Sequence, residues 1–307
     1  MPKIKYVPKA FRGERLELIQ RVNTVISEYE KQGFSLTLRQ AYYQMVARAI
    51  IPNNERSYKN LGALINDARL AGMIDWNAIE DRTRNLRGNS HWQNPGSIIR
   101  SAAWSYHRDH WQGQRYYVEV WVEKDALVGI VGQICERLDV NYFSCRGYVS
   151  QSEMWTAARR LRDRQMKQHQ SVVLLHLGDH DPSGKDMSRD IVDRLDLFGV
   201  LAVDFKRLAL NMNQIEQYNP PPNPTKLTDS RASGYIQEFG GECWELDALE
   251  PQVISDLIEY NVRRYRNERQ YKAIVKQERE EQNMLESVAE NWPGIAAHWD
   301  EIRAEYC

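Results

Sequence analysis

Residues 171–177 read SVVLLHL, a near-continuous apolar run. Such a run has no polar face to offer water, so it predicts a strand covered on both sides, the place of a central strand in a parallel sheet. The flanking sequence agrees. Tyr117–Val122 is rich in β-branched and aromatic residues, Asn141–Cys145 reads as a short strand, and Leu201–Leu208 as another. Between them, Ala126–Leu138, Ser152–Gln168 and a segment opening at Pro182 carry helical patterns. Alternating strands and helices predict an α/β domain with a mainly parallel sheet. The prolines of Asn219–Pro224 require a rigid extended loop, and after Glu242–Leu246 the chain is expected to finish in helices, including a solvated or partner-facing stretch around Arg263–Gln282.

The first part of the chain has a different pattern. Leu16, Ile19, Val22, Ile26 and Tyr29 recur at steps of three and four, and Gly33 follows as a stop, predicting a helix over 12–32. Thr37 is placed to cap a second helix running to Ala49, with Leu38, Ala41, Tyr42, Met45 and Ala49 on one stripe and Pro52 beyond its end. A third helix, about Glu55–Ala71, turns Leu61, Leu64, Ile65 and Ala68 inward and Arg56, Lys59 and Arg69 outward. Three short helices with basic faces suggest a helix-turn-helix. Met73–Trp76 with the arginine-rich Asp81–Arg87 extends this to a winged helix, joined to the rest by a helix over 97–111. At 307 residues two domains are expected, 1–112 and 113–307.

Charge divides the same way. Residues 1–115 hold 18 Lys/Arg against 10 Asp/Glu, and residues 116–307 hold 23 against 32. A basic module suits a polyanion such as double-stranded DNA, with Arg56, Lys59, Arg69, Arg82, Arg84 and Arg87 as its candidate contacts; an acidic remainder suits a metal. No apolar run approaches the roughly 18–20 residues of a membrane span, and no apolar stretch follows the basic N-terminus, so a soluble cytoplasmic protein, nucleoid-associated if bacterial or archaeal, is expected. Cys135, Cys145, Cys243 and Cys307 form no Cys-x-x-Cys pair and suggest neither disulfides nor a zinc ribbon.

The chemistry concentrates where strands end. Glu123 directly follows one predicted strand, and Asp179-His180-Asp181 follows the buried one. In parallel sheets functional groups gather beyond the carboxyl ends of the strands. An Asp-x-Asp step in extended backbone points both carboxylates the same way, so with Glu123 they predict a site for one hard cation, magnesium rather than zinc. Pro182 and the capping Asp181 add a helix N-terminus, a favourable neighbour for phosphate. On the second helix, Arg39 and Tyr43 stand one turn apart on one face. A guanidinium there would favour the phenolate and neutralise a phosphate under attack, although a helical Tyr-Tyr pair also suits a core or an interface.

Val118–Lys124 (VEVWVEK) and Leu177–Gly184 (LGDHDPSG) resemble the two motifs of Toprim domains, and the chain from about Leu36 to Leu249 is similar to the A subunit of topoisomerase VI and the related meiotic double-strand-break transesterases. Arg146-Gly147-Tyr148 and Glu245–Leu249 also resemble stretches of that lineage. The resemblance implies Glu123, Asp179 and Asp181 as metal ligands, with Asp247 and Glu153 as possible helpers. It also implies Tyr43 as the nucleophile that forms a 5′-phosphotyrosyl bond to DNA, and a homodimer in which that tyrosine serves the partner's metal site. An ATPase subunit would be a separate chain, since no P-loop is present here. The rival expectations are a Toprim nuclease using metal-activated water, and a DNA-binding module without chemistry. His180 is expected at the metal, at phosphate or as an exposed imidazole nearby.

Overall fold

The structure, a computed structural model, describes residues 3–80 and 89–306. In chain order its elements are α1 (Glu14–Lys31), β1 (Leu36–Thr37), α2 (Leu38–Ala47), α3 (Glu55–Leu70), β2 (Ile79–Glu80), α4 (Pro95–Ser105), β3 (Tyr116–Val122), α5 (Val128–Leu138), β4 (Asn141–Ser144), α6 (Gln151–Gln168), β5 (Ser171–Leu177), α7 (Pro182–Leu197), β6 (Asp204–Ala209), α8 (Met212–Tyr218), β7 (Asn223–Pro224), α9 (Ala232–Phe239), β8 (Glu242–Cys243), α10 (Pro251–Tyr265), α11 (Glu268–Glu290) and α12 (Trp292–Tyr306). The class is α/β. A four-stranded sheet in the order β4-β3-β5-β6 is parallel throughout. None of the described helices is long and apolar enough to cross a membrane.

The apolar run 171–177 is β5, second from the edge, and all but its first residue are buried. On one face of the sheet Tyr117, Trp121, Val172 and Leu174 pack with Met154, Ala158 and Leu161 of α6 and Ile191 and Leu195 of α7. Helices α5 and α10 cover β3 from the other side. The N-terminal helices start where their capping chemistry puts them. Thr37 and Gln40 form a capping box on α2, and Asn54 accepts from the Ser57 N–H at the start of α3.

The segment expected to begin a β-wing departs from that reading. Residues 73–76 form a turn, Ile74 is wholly buried, and β2 pairs in parallel with β1. The cause is Arg69, whose guanidinium donates to the carbonyls of Trp76 and Ile79 and curls the chain back over the end of α3. The remainder of the expected wing, 81–88, lies outside the described residues, and Arg82, Arg84 and Arg87 with it.

Contacts group the chain into two compact units, Met1–Arg84 with Arg115–Tyr265, and Asn85–Gln114 with Arg266–Cys307. The expected boundary near residue 112 thus gives way to a grouping in which the N-terminal helices belong with the sheet. In the second unit α4 packs on α11. The helix expected over 97–111 stops at Ser105 because the following residues turn to α11: Glu278 accepts from the Arg108 N–H at 2.6 Å and pairs with His110 at 2.8 Å, and Arg108 pairs with Glu281 at 2.8 Å.

Candidate active site

Strands β3 and β5 are neighbours with Val122 opposite Leu177, so the residues that follow them emerge side by side. The Glu123 N–H donates to the Leu177 carbonyl at 2.9 Å, and the Glu123 Oε2 atom accepts from the Asp179 N–H at 2.9 Å. Two glycines make room for that carboxylate: a Cβ at Gly178 or Gly184 would come within 2.9 or 3.0 Å of Glu123 Oε2, and at Gly184 it would also collide with the Asp179 carbonyl. The Asp179 carboxylate accepts from the Leu246 N–H at 2.7 Å and pairs with Lys124 Nζ at 3.0 Å. Asp181 caps α7, accepting from the Gly184 N–H at 2.6 Å.

Two further carboxylates join these three. Leu246–Ala248 forms a short 3-10 turn against α2, and it brings Glu245 and Asp247 to Lys124 Nζ at 2.6 and 3.0 Å. Arg39 of α2 reaches the same pair, touching Glu245 and lying 3.0 Å from Asp247 Oδ2. Behind the loop Arg207 of β6 donates to the carbonyls of Gly178, Asp179 and Gly184 and to Ser188. Five carboxylates therefore share one end of the sheet with three cations. Burial and the neighbouring Asp181 carboxylate push the Glu123 carboxyl up, and burial with Glu123 and Asp247 does the same to Asp179 despite Lys124. Burial also disfavours the charged Glu245, but Lys124 and Arg39 more than offset it and hold that carboxyl down to about 2.

Carboxylate oxygens are the donor chemistry of a hard cation. Among the described residues, however, no three His, Cys, Asp or Glu side chains form a group able to hold a metal ion. Glu123, Asp179 and Asp181 are brought to one place as expected, but each spends an oxygen on a backbone N–H, and Asp179 spends its other on Lys124. The cation seated among the acids is an ammonium.

Tyr43 and Arg39 lie against this cluster within the same chain. The Arg39 guanidinium sits 5.8 Å from the centre of the Tyr43 ring. Its charge goes to Glu245 and Asp247 rather than to the phenol: burial and those two carboxylates raise the Tyr43 pKa, which Arg39 opposes only in part. Arg39 thus acts in the expected direction, toward the phenolate, but burial and the two carboxylates outweigh it in the free chain. Tyr42, as expected, is core; its hydroxyl donates to Asn53 at 2.9 Å. Beside the pair opens a pocket of about 280 Å³ whose lining includes Arg39, Tyr43, Asn54, Tyr58 and Asn223.

The other sequence candidates fall apart from this cluster. Arg56 and Lys59 are exposed on α3, Lys59 pairing with Glu55 at 2.7 Å. Arg69 is committed to the turn it curls, and Glu153 is exposed on the first turn of α6. His180 is neither exposed nor turned to the acids: it is buried among Tyr235, Phe239 and Trp244, with Nδ1 2.7 Å from the Tyr235 hydroxyl. Sequence reasoning passed over Lys124 and Arg207. Lys124 carried a signal, since it directly follows Glu123; Arg207 carried one only as a charge inside a strand.

Comparison of the chain with protein-family models, with curated proteins and with solved structures finds no match.

Proposed function

We propose that this chain cuts DNA, with Tyr43 as the nucleophile and magnesium held by Glu123, Asp179 and Asp181, in the manner of a topoisomerase VI A-like transesterase built from a winged helix and a Toprim domain. The observation that carries the reading is the tie from Arg39 to Glu245 and Asp247, which sets the face of α2 bearing Tyr43 against the acidic end of the sheet. Residues far apart in sequence, singled out for complementary chemistry, meet there. Exposed Arg56 and Lys59 on α3 suit phosphates of the duplex, and a second copy of the chain would supply the second cut.

Magnesium bound there would neutralise phosphodiester charge and stabilise the leaving oxygen. The chain's own residues do the rest. Tyr43 Oη forms a bond to phosphorus as the bond from phosphorus to the 3′ oxygen breaks; the phenolic proton passes to a nearby base, and one proton returns from that base or from water to the departing 3′ oxygen, which leaves as a hydroxyl. Glu245 beside the phenol is the nearest candidate base, and Arg39, once shared with a phosphate, loosens its hold on that carboxylate. The bond energy is kept as a protein–DNA ester.

One observation favours a second reading, a Toprim nuclease using water. Tyr43 is 5 % exposed, and burial together with the acids around it raises its phenol's pKa. Incubation with supercoiled DNA and Mg²⁺, followed by denaturation, separates the two. Transesterification leaves DNA covalently attached to protein, and attachment vanishes in Tyr43→Phe while persisting in Tyr42→Phe. Free ends from both Tyr43→Phe and the parent would establish hydrolysis, and intact DNA with every protein would sink both.

A further inference from the structure

Lys124 is the most confined cation of the acidic cluster. Its ammonium lies 2.6 Å from Glu245, 3.0 Å from Asp247 and 3.0 Å from Asp179, with its side chain 14 % exposed. Three carboxylates around one point are the donor set of a hard divalent ion, and one of them, Asp179, belongs also to the group Glu123, Asp179 and Asp181. A carboxylate shared between two cation positions is how paired metal sites are built, with ions about 3.5–4 Å apart. Here one of the two positions holds an amine from the chain itself.

We propose that the Lys124 ammonium fills the second cation position of a two-cation centre bounded by Asp179, Glu245 and Asp247, so that the protein takes at most one divalent ion. Charge balance supports this. Five carboxyl groups face only Lys124, Arg39 and Arg207, so the three built-in cations are outnumbered where they meet. The surroundings also suit a fixed cation. Asp247 is fully buried, its Oδ2 atom makes no hydrogen bond, and it faces Arg39 Nε at 3.0 Å as an ion pair alone. Lys124 follows Glu123 directly, so the strand end that supplies one acid delivers the ammonium to the other three. The built-in charge sits beside Arg39 and Tyr43, where it would lie close to a phosphate under attack.

The inference rests on the acidic cluster and not on DNA cleavage, and its test reads bound metal. Mn²⁺ is titrated into the purified full chain, and free ion is counted by electron paramagnetic resonance. Lys124→Met, similar in length and uncharged, is expected to bind one more Mn²⁺ per chain than the parent, and Lys124→Arg no more than the parent. Glu245→Gln added to Lys124→Met should abolish the gain. Equal numbers on the parent and Lys124→Met overturn the proposal: one ion on each leaves a single-metal site intact, and none on either removes the magnesium reading as well. No ion on the parent with one on Lys124→Met upholds it and removes the magnesium reading given above. Should Lys124→Met fail to fold alone, recovery of its far-ultraviolet circular dichroism on adding Mn²⁺ is the supporting result, and no recovery at any Mn²⁺ concentration the opposing one.

Discussion

Strand β3 carries one buried acid, Glu119, and a second, Glu123, directly follows its end; their surroundings could hardly differ more. Glu119 is saturated: Tyr117 and Trp121 donate to it at 2.7 and 2.9 Å, and Arg160 clasps it with two nitrogens at 2.7 and 2.9 Å. One carboxylate meets one guanidinium, and every lone pair within reach is used. Glu123 sits where acids outnumber cations and where burial and like charge push its carboxyl up. Both are buried carboxylates, one within the strand and one just past its end, so burial alone does not separate structure from function. The mismatch between charges supplied and charges required does.

That contrast is open to attack at its strongest point first. Arg160→Ala leaves buried Glu119 without its guanidinium partner and, with the Arg160 side chain 37 % exposed, should cost about 2 kcal/mol of unfolding free energy in urea, below the range for breaking a fully buried pair. Mn²⁺ binding at the other end of the strand should be unchanged. A loss of metal affinity in this variant would show that the two networks are one.

A smaller effect concerns His176 on β5. Its Nδ1 atom lies 3.1 Å from the Ser188 hydroxyl, its Nε2 is buried without a hydrogen-bond partner, and burial, helped by Arg207, lowers its pKa to about 3. Between that value and the unfolded value of about 6.5 the unfolded chain binds the extra proton, so stability is full above the upper limit and falls as pH drops. The expected slope is up to about 1.4 kcal/mol per pH unit. Urea unfolding at pH 7 and pH 5 should show the loss, and His176→Leu should flatten it relative to the parent.

The smallest effect sharpens the comparison most. Asp181→Asn keeps a side-chain oxygen for the Gly184 N–H, and asparagine caps helices as well as aspartate, so stability should shift by less than about 0.5 kcal/mol. Mn²⁺ binding should weaken at least tenfold. If affinity is unaltered, Asp181 is a cap and nothing more.

Much of the fold was legible because its elements obey local rules. The strand over 171–177 and the starts of α2, α3 and α7 fall where the apolar run, Thr37, the apolar pattern from Glu55 and Asp181-Pro182 put them. The stretch 73–76, expected to begin a wing, departs because its turn is made by Arg69, a contact that no periodicity records. At the site, Glu123, Asp179 and Asp181 were visible as carboxylates at strand ends, which is a positional rule. The state of Tyr43 was not. A one-turn spacing puts Arg39 beside it, but the charge on Arg39 is claimed by Glu245 and Asp247, more than 200 residues away in sequence. Sequence shows which charges are neighbours along a helix and not which of them is already spoken for.

The discontinuous second unit carries a consequence for synthesis. Helix α4 ends at Ser105, and the helix that packs on it begins only at Glu268. At about 5–20 residues per second the ribosome takes on the order of ten seconds or more to bridge that interval. Throughout it the face of α4 that includes Ala103 awaits α11, while the four strands of the sheet are made within the same interval. The nascent chain therefore completes the acidic cluster before it closes its last pair of helices, and the order of emergence leaves α4 as the segment most open to a chaperone or to another copy being made alongside.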